Sequence, residues 1–204
     1  MSFMELPEKF SPEINAFGCW LKIPSPVTAE MASLSGFDYV CIDMQHGFSD
    51  RSDLLPMLQA IQPHSSKALV RVTSNDPSII GWVLDAGATG VIVPLVNSAE
   101  EAEAAVKACF YPPKGNRSMG PTRALKVFGE EYVENMESSV QCLPMIETFD
   151  ALENLDSILS VEGVDAIYVG PSDLSVNLGL PKGNNDGNHK FDEALELIVS
   201  SCQR

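Results

Sequence analysis

Residues 68–95, ALVRVTSNDPSIIGWVLDAGATGVIVPL, decide the fold. Ala68-Leu69-Val70-Arg71-Val72 is a short and almost wholly apolar run, and Gly90-Val91-Ile92-Val93-Pro94-Leu95 is a second. Runs that are continuous rather than alternating suit strands covered on both faces, as in a parallel sheet. Between them Asn75-Asp76-Pro77 opens a helix through Leu84 that ends near Gly87. Strand, helix and strand in this order predict a βαβ unit.

The same alternation extends in both directions. Apolar runs recur at Phe17–Ile23, Tyr39–Asp43, Cys142–Glu147 and Val164–Gly170. Ser25-Pro26 starts a helix that Gly36 stops, Ser98-Ala99-Glu100-Glu101 opens one through Ala108, and Phe191–Val199 is the last helix candidate. Residues 112–123 read as a long loop. The polar residues of interest follow at least four different strands, which favours a TIM-type (β/α)8 barrel over an open doubly wound sheet. No dinucleotide fingerprint or P-loop supports the open sheet. A complete barrel takes about 250 residues, so this chain of 204 is read as one α/β-barrel domain over residues 1–204, incomplete at its C-terminal end, where the last strand and helix at least are missing.

Composition narrows the class. With 45% hydrophobic residues the chain can bury a substantial core. No apolar run approaches the roughly 20 residues that span a bilayer, and the N-terminal residues lack a basic region followed by an apolar stretch. A formal net charge of -15 opposes binding to a nucleic-acid backbone. Five cysteines without a C-x-x-C pair suit reduced thiols in a cytoplasmic protein.

Chemistry is concentrated where the apolar runs stop. Glu147 ends one run and Asp173 follows the next, so both carboxylates belong to adjacent strand ends. Each also fits a helix cap. Two acids meeting in one pocket repel unless a cation lies between them, which points to a divalent metal. His46 follows Asp43 by three positions, and a nearby carboxylate can orient an imidazole as a general base. Arg71 needs an anion, either a structural carboxylate or, by preference, the substrate. Lys114, Arg117 and Arg123 form a cationic loop that is solvated by default and would otherwise suit the far end of an anionic substrate.

These residues, taken together, resemble the class II, metal-dependent pyruvate aldolases of the HpcH/HpaI family. The resemblance runs from Phe17 to Pro181 and rests on Gly36-Phe37-Asp38-Tyr39-Val40 leading into Asp43-x-x-His46-Gly47, then on Val70-Arg71-Val72 and Leu84-Asp85-Ala86-Gly87-Ala88. It continues in Tyr111-Pro112-Pro113-x-Gly115-x-Arg117, Ile146-Glu147-Thr148 and Gly170-Pro171-Ser172-Asp173-Leu174-Ser175. The resemblance implies that Glu147 and Asp173 ligate Mg2+, Mn2+ or Co2+. Gly170, Pro171 and Ser172 would receive the pyruvate carboxylate. Arg71 would bind substrate and stabilise a pyruvate enolate held by the metal, while His46, oriented by Asp43, would exchange the proton of the 4-hydroxyl.

The implied reaction is reversible cleavage of a 4-hydroxy-2-oxo acid to pyruvate and an aldehyde. The implied partners are a small 2-oxo acid and further copies of the chain in a dimer or hexamer, with no nucleic acid or membrane. Two departures are visible: Gln45 stands where many members have Glu, and Met145 where some have Gln. A citrate-lyase-like reaction on a CoA ester and a shortened, non-catalytic relative are the alternatives.

Overall fold

A computed structural model describes residues 3–11, 13 and 15–204. Its centre is a six-stranded, all-parallel sheet: β1 (Gly18–Leu21), β2 (Tyr39–Asp43), β3 (Lys67–Arg71), β4 (Gly90–Val93), β5 (Gln141–Ile146) and β6 (Tyr168–Val169), paired in sequence order. Parallel neighbours need crossovers, and helices supply them. These are α1 (Pro26–Leu34), α2 (Arg51–Ile61), α3 (Pro77–Asp85) and α4 (Ala99–Cys109), then the shorter α5 (Thr122–Phe128) and α6 (Tyr132–Asn135). After β5 come α7 (Phe149–Glu153) and α8 (Leu155–Leu159), and after β6 come α9 (Pro171–Asn177) and α10 (His189–Cys202).

The caps act as the residue types require. Ser25, Asp76 and Ser98 each accept a backbone N–H from the first turn of the helix they precede. Helix α2 has no counterpart among the sequence signals read above, and Pro56 lies within it. Proline removes a donor from the helical ladder. A capping box between Asp50 and Asp53 and the burial of Leu54, Met57, Leu58 and Ile61 nevertheless hold the helix.

Alternate side chains on the strands separate two apolar layers. Val40, Ile42, Ala68, Val70, Val91 and Val93 face the helices in the larger core. Cys41, Leu69, Ile92, Leu143 and Met145 face inward, packed with Phe10, Trp20, Tyr39 and Tyr168. Trp20 on β1 and Tyr168 on β6 belong to opposite edges of the sheet, yet their ring centroids are 4.9 Å apart. The sheet is therefore curled around a filled interior as a half-barrel. Phe10 closes the N-terminal end of this interior against Tyr39, and a Cβ on Gly18 would collide with the Tyr39 ring.

All six strands fall within the apolar runs or within one residue of them. Six strands among the described residues are two fewer than a (β/α)8 barrel has, consistent with the expected incomplete barrel. Strand β6 is also shorter than its run. In the extension of its register, the Asp165 carboxylate accepts the Cys142 N–H at 2.9 Å, while Asp165 donates its own N–H to the Cys142 carbonyl. A side chain thus occupies a donor that a regular ladder would use. No helix among the described residues is long and apolar enough to cross a membrane.

The interior layer sets a stability test. Leu69→Ala should cost about 3 kcal/mol, because a filled site would become a cavity, whereas Leu34→Ala on the exposed side of α1 should stay within about 0.5 kcal/mol. Urea denaturation of the two variants measures the difference.

Candidate functional site

The C-terminal ends of the strands surround a cavity of about 260 Å3 lined by Trp20, Lys22, His46, Arg71, Glu147 and Asp173, among others. Gly170, Pro171 and Ser172 complete one side, and Met145 and Tyr168 lie among its lining residues. One cavity therefore brings together His46, Arg71, Glu147, Gly170, Pro171, Ser172 and Asp173 from the sequence reading, and leaves out Asp43 and the cationic loop.

Asp43 lies beneath the cavity and is fully buried. Its carboxylate accepts Arg71 Nε at 2.9 Å and Nη2 at 2.6 Å, Trp20 Nε1 at 3.0 Å, and the backbone N–H groups of Gln45 and His46, both at 3.1 Å. The sequence reading directs Asp43 toward the imidazole, but the structure directs it to the His46 backbone. Asp43 thus sets the path of the loop that carries His46. Burial alone would raise its carboxyl, but the hydrogen bonds from Arg71, Trp20 and the His46 amide outweigh that effect and bring it down to about 2.

Arg71 has the structural carboxylate that its burial demands. The bidentate pair uses Nε and Nη2, and Nη1 makes no hydrogen bond to protein among the described residues. Because Arg71 lines the cavity, Nη1 remains available to an anion there. The guanidinium also lies 5.1 Å from the centre of the Trp20 ring.

Glu147 is the opposite pole. It is only 2% exposed, and its Oε1 accepts the backbone N–H of Leu95 at 2.9 Å. Leu95 has φ +55°, a left-handed conformation unfavourable for a branched side chain, at the position from which its amide reaches the carboxylate. Oε2 lies against Gly170, where a Cβ would come within 2.3 Å of it. Burial raises the Glu147 carboxyl above its ordinary value, the Leu95 N–H opposes this, and the charge of Asp173 adds to the rise.

Neither acid serves as a helix cap. Thr148 caps α7 by accepting the Ala151 N–H, and Asp173 is the third residue of α9, whose cap position is Gly170. The loop after β4 is strapped to the loop after β5 by the Thr148 hydroxyl on Asn97 and by Asn154 on the Asn97 carbonyl. Among the described residues no three His, Cys, Asp or Glu side chains form a metal-holding group. A hard cation here would take Glu147 and Asp173 from the protein and its remaining oxygens from substrate and water, which suits the donor set.

The cationic loop does not reach the cavity. Arg117 is buried and pairs with Asp85 at the C-terminal end of α3, Arg123 donates to Gln62 and Ala86, and Lys114 pairs with Glu137. Helix α3 runs back from the C-terminal strand ends, so these contacts belong to the far end of the sheet.

Trp20, Lys22 and Leu95 had no place in the sequence reading of the site. Trp20 on β1 and Lys22 just beyond its end were accessible through period-two alternation along the Phe17–Ile23 run, whereas nothing local marks a left-handed leucine.

Known proteins resemble this chain in sequence and in fold. Residues 16–204 match the family described as HpcH/HpaI aldolase/citrate lyase. A hydroxypyruvate/pyruvate aldolase of Rhizorhabdus wittichii is 43% identical over 164 residues, covering 80% of this chain and 65% of that protein. The chain therefore spans just under two thirds of that relative's length. A 5-keto-4-deoxy-D-glucarate aldolase of Klebsiella pneumoniae subsp. pneumoniae is 34% identical over 204 residues, 97% of this chain and 79% of the relative. The crystal structure of an HpcH/HpaI aldolase/citrate lyase family protein from Burkholderia cenocepacia J2315 superposes with a TM-score of 0.85 at 27% identity, covering 92% of this chain and 76% of that one.

The buried ion pair supplies a prediction. The folded Asp43 carboxyl titrates below its unfolded value, so its contribution is complete above about pH 4 and is lost as the pH falls through about 2. Asp43→Asn should therefore cost about 3 kcal/mol at neutral pH, and the gap to the parent should close across that acid window in urea denaturation.

Proposed function

The chain belongs to the HpcH/HpaI aldolase/citrate lyase family, and from that premise we propose that it is a divalent-metal-dependent aldolase, a carbon–carbon lyase that reversibly cleaves a 4-hydroxy-2-oxo acid to pyruvate and an aldehyde. The observation that carries the reading is the convergence of Glu147, Asp173, Arg71 and His46 on one small cavity. Named relatives that are aldolases support the reaction class.

When bound between Glu147 and Asp173, Mg2+, Mn2+ or Co2+ would supply Lewis acidity to the substrate's 2-oxo group. The chain's own residues do the rest. Ser172, with Gly170 and Pro171, receives the substrate carboxylate. Arg71 directs Nη1 at the negative charge that develops on the pyruvate oxygen as the carbon–carbon bond breaks, and Asp43 fixes the guanidinium in place beforehand. His46, exposed at the cavity rim, takes the proton from the 4-hydroxyl during cleavage and returns it during condensation. The reading extends to a cytoplasmic homo-oligomer, dimer or hexamer. Val27, Met31 and Leu34 support association, because they form an exposed apolar stripe along α1.

Pyruvate release from a panel of 4-hydroxy-2-oxo acids, coupled to lactate dehydrogenase, tests the reaction. Turnover should require Mg2+ or Mn2+, stop with excess EDTA, and fall by about 100-fold or more in Glu147→Gln. Turnover of a CoA ester without any release from free 2-oxo acids would overturn it. In Gly170→Ala the new methyl must displace the Glu147 carboxylate, so Mn2+ affinity followed by electron paramagnetic resonance should weaken by about tenfold.

A further inference from the structure

We propose that Asn97 is a positioning residue for Glu147, holding its carboxylate in the orientation that admits a divalent cation between Glu147 and Asp173. A closed ring of contacts ties the two residues together. The Leu95 N–H donates to Glu147 Oε1 at 2.9 Å, and the Leu95 carbonyl accepts Asn97 Nδ2 at 3.1 Å. The Thr148 hydroxyl donates to Asn97 Oδ1, and Thr148 follows Glu147 in the chain. The ring thus starts at the Glu147 carboxylate and returns to its backbone.

Chemistry fixes the direction of each link. Thr148 Oγ1 accepts the Ala151 N–H at 3.0 Å while capping α7, so its own hydrogen is left for Asn97. Only the amide oxygen can take that hydrogen, and only the amide nitrogen can donate to the Leu95 carbonyl. A carboxylate at position 97 would keep the first link and lose the second, whereas an alanine would lose both. Asn97 is itself held, because its N–H donates to Glu101 Oε2 at 2.6 Å and its carbonyl accepts Asn154 Nδ2 at 2.9 Å.

The ring also accounts for the backbone of Leu95. A leucine at φ +55° persists only where its surroundings over-determine it. Its side chain is about half exposed, so the conformation is held through the main chain, at the N–H by Glu147 and at the carbonyl by Asn97. Oε1 is thereby committed to the Leu95 amide. Oε2, against Gly170, has no hydrogen bond among the described residues and is the oxygen left to a cation.

This role for Asn97 rests on the metal-dependent reading, yet Mn2+ affinity, followed by electron paramagnetic resonance, tests it without turnover. Asn97→Ala should weaken Mn2+ binding by about tenfold. Asn97→Asp keeps the Thr148 contact but sets an acceptor against the Leu95 carbonyl, so it should weaken binding too, and it gives the answer if the alanine variant does not fold. Asn154→Ala removes a tether of the same loop that lies outside the ring, and it should keep the parent affinity. Parent affinity in a folded Asn97 variant, or an equal loss in Asn154→Ala, overturns the proposal. A parent protein that binds no Mn2+ overturns both this role and the metal-dependent reading. Mn2+ binding that weakens in the Asn97 variants, without pyruvate release by the parent, sinks the aldolase reaction alone.

Discussion

The buried pair between Asp43 and Arg71 is the constraint on which the site end of the fold depends. Both groups lie where the strands would otherwise be wholly apolar, and either alone would be an uncompensated charge in a poorly solvated place. Together they lock the ends of β2 and β3 at one register. The same carboxylate holds the Trp20 indole of β1 and the first amides of the His46 loop. Four segments are thereby set by one side chain. Its low proton affinity follows from these donors, which together outweigh the cost of burial.

The other side of the cavity is arranged differently. Glu147 receives one amide, from a left-handed Leu95, and no cationic partner within ion-pair distance among the described residues. Asp173 brings a second negative charge toward it instead of relieving the first. One pole is therefore a satisfied ion pair with a guanidinium nitrogen left over, and the other is a pair of acids with no bound counter-charge from the protein. This polarity is what an anionic, oxygen-rich ligand accompanied by a hard cation would complement. Gly170 permits the arrangement, since any side chain there would press on the Glu147 carboxylate.

Much of the scaffold was legible because its signals are local. Ser25, Asp76 and Ser98 cap the helices they precede, and the six apolar runs supply the six strands. Helix α2 escaped although Asp50 and Asp53 mark its start, and its Pro56 is offset by the capping box and by burial of one face of the helix. The cationic loop misled for a related reason. Charge composition cannot tell a solvated arginine from one folded against Asp85 and Tyr132 at the far end of the sheet.

By itself, the sequence determined the order of strands and helices, the parallel character of the sheet and the residue types at the strand ends. Each depends on neighbours within a few positions. Tertiary structure alone decided which groups those residues meet. Arg71 finds Asp43 across 28 positions and Glu147 finds the Leu95 amide across 52. Curling brings Trp20 to Tyr168 from opposite edges of the sheet. The physical reason is the short range of hydrogen bonds and ion pairs. Displacements of an ångström or two, which no local pattern encodes, decide whether a carboxylate orients an imidazole, anchors an arginine or remains open to a cation.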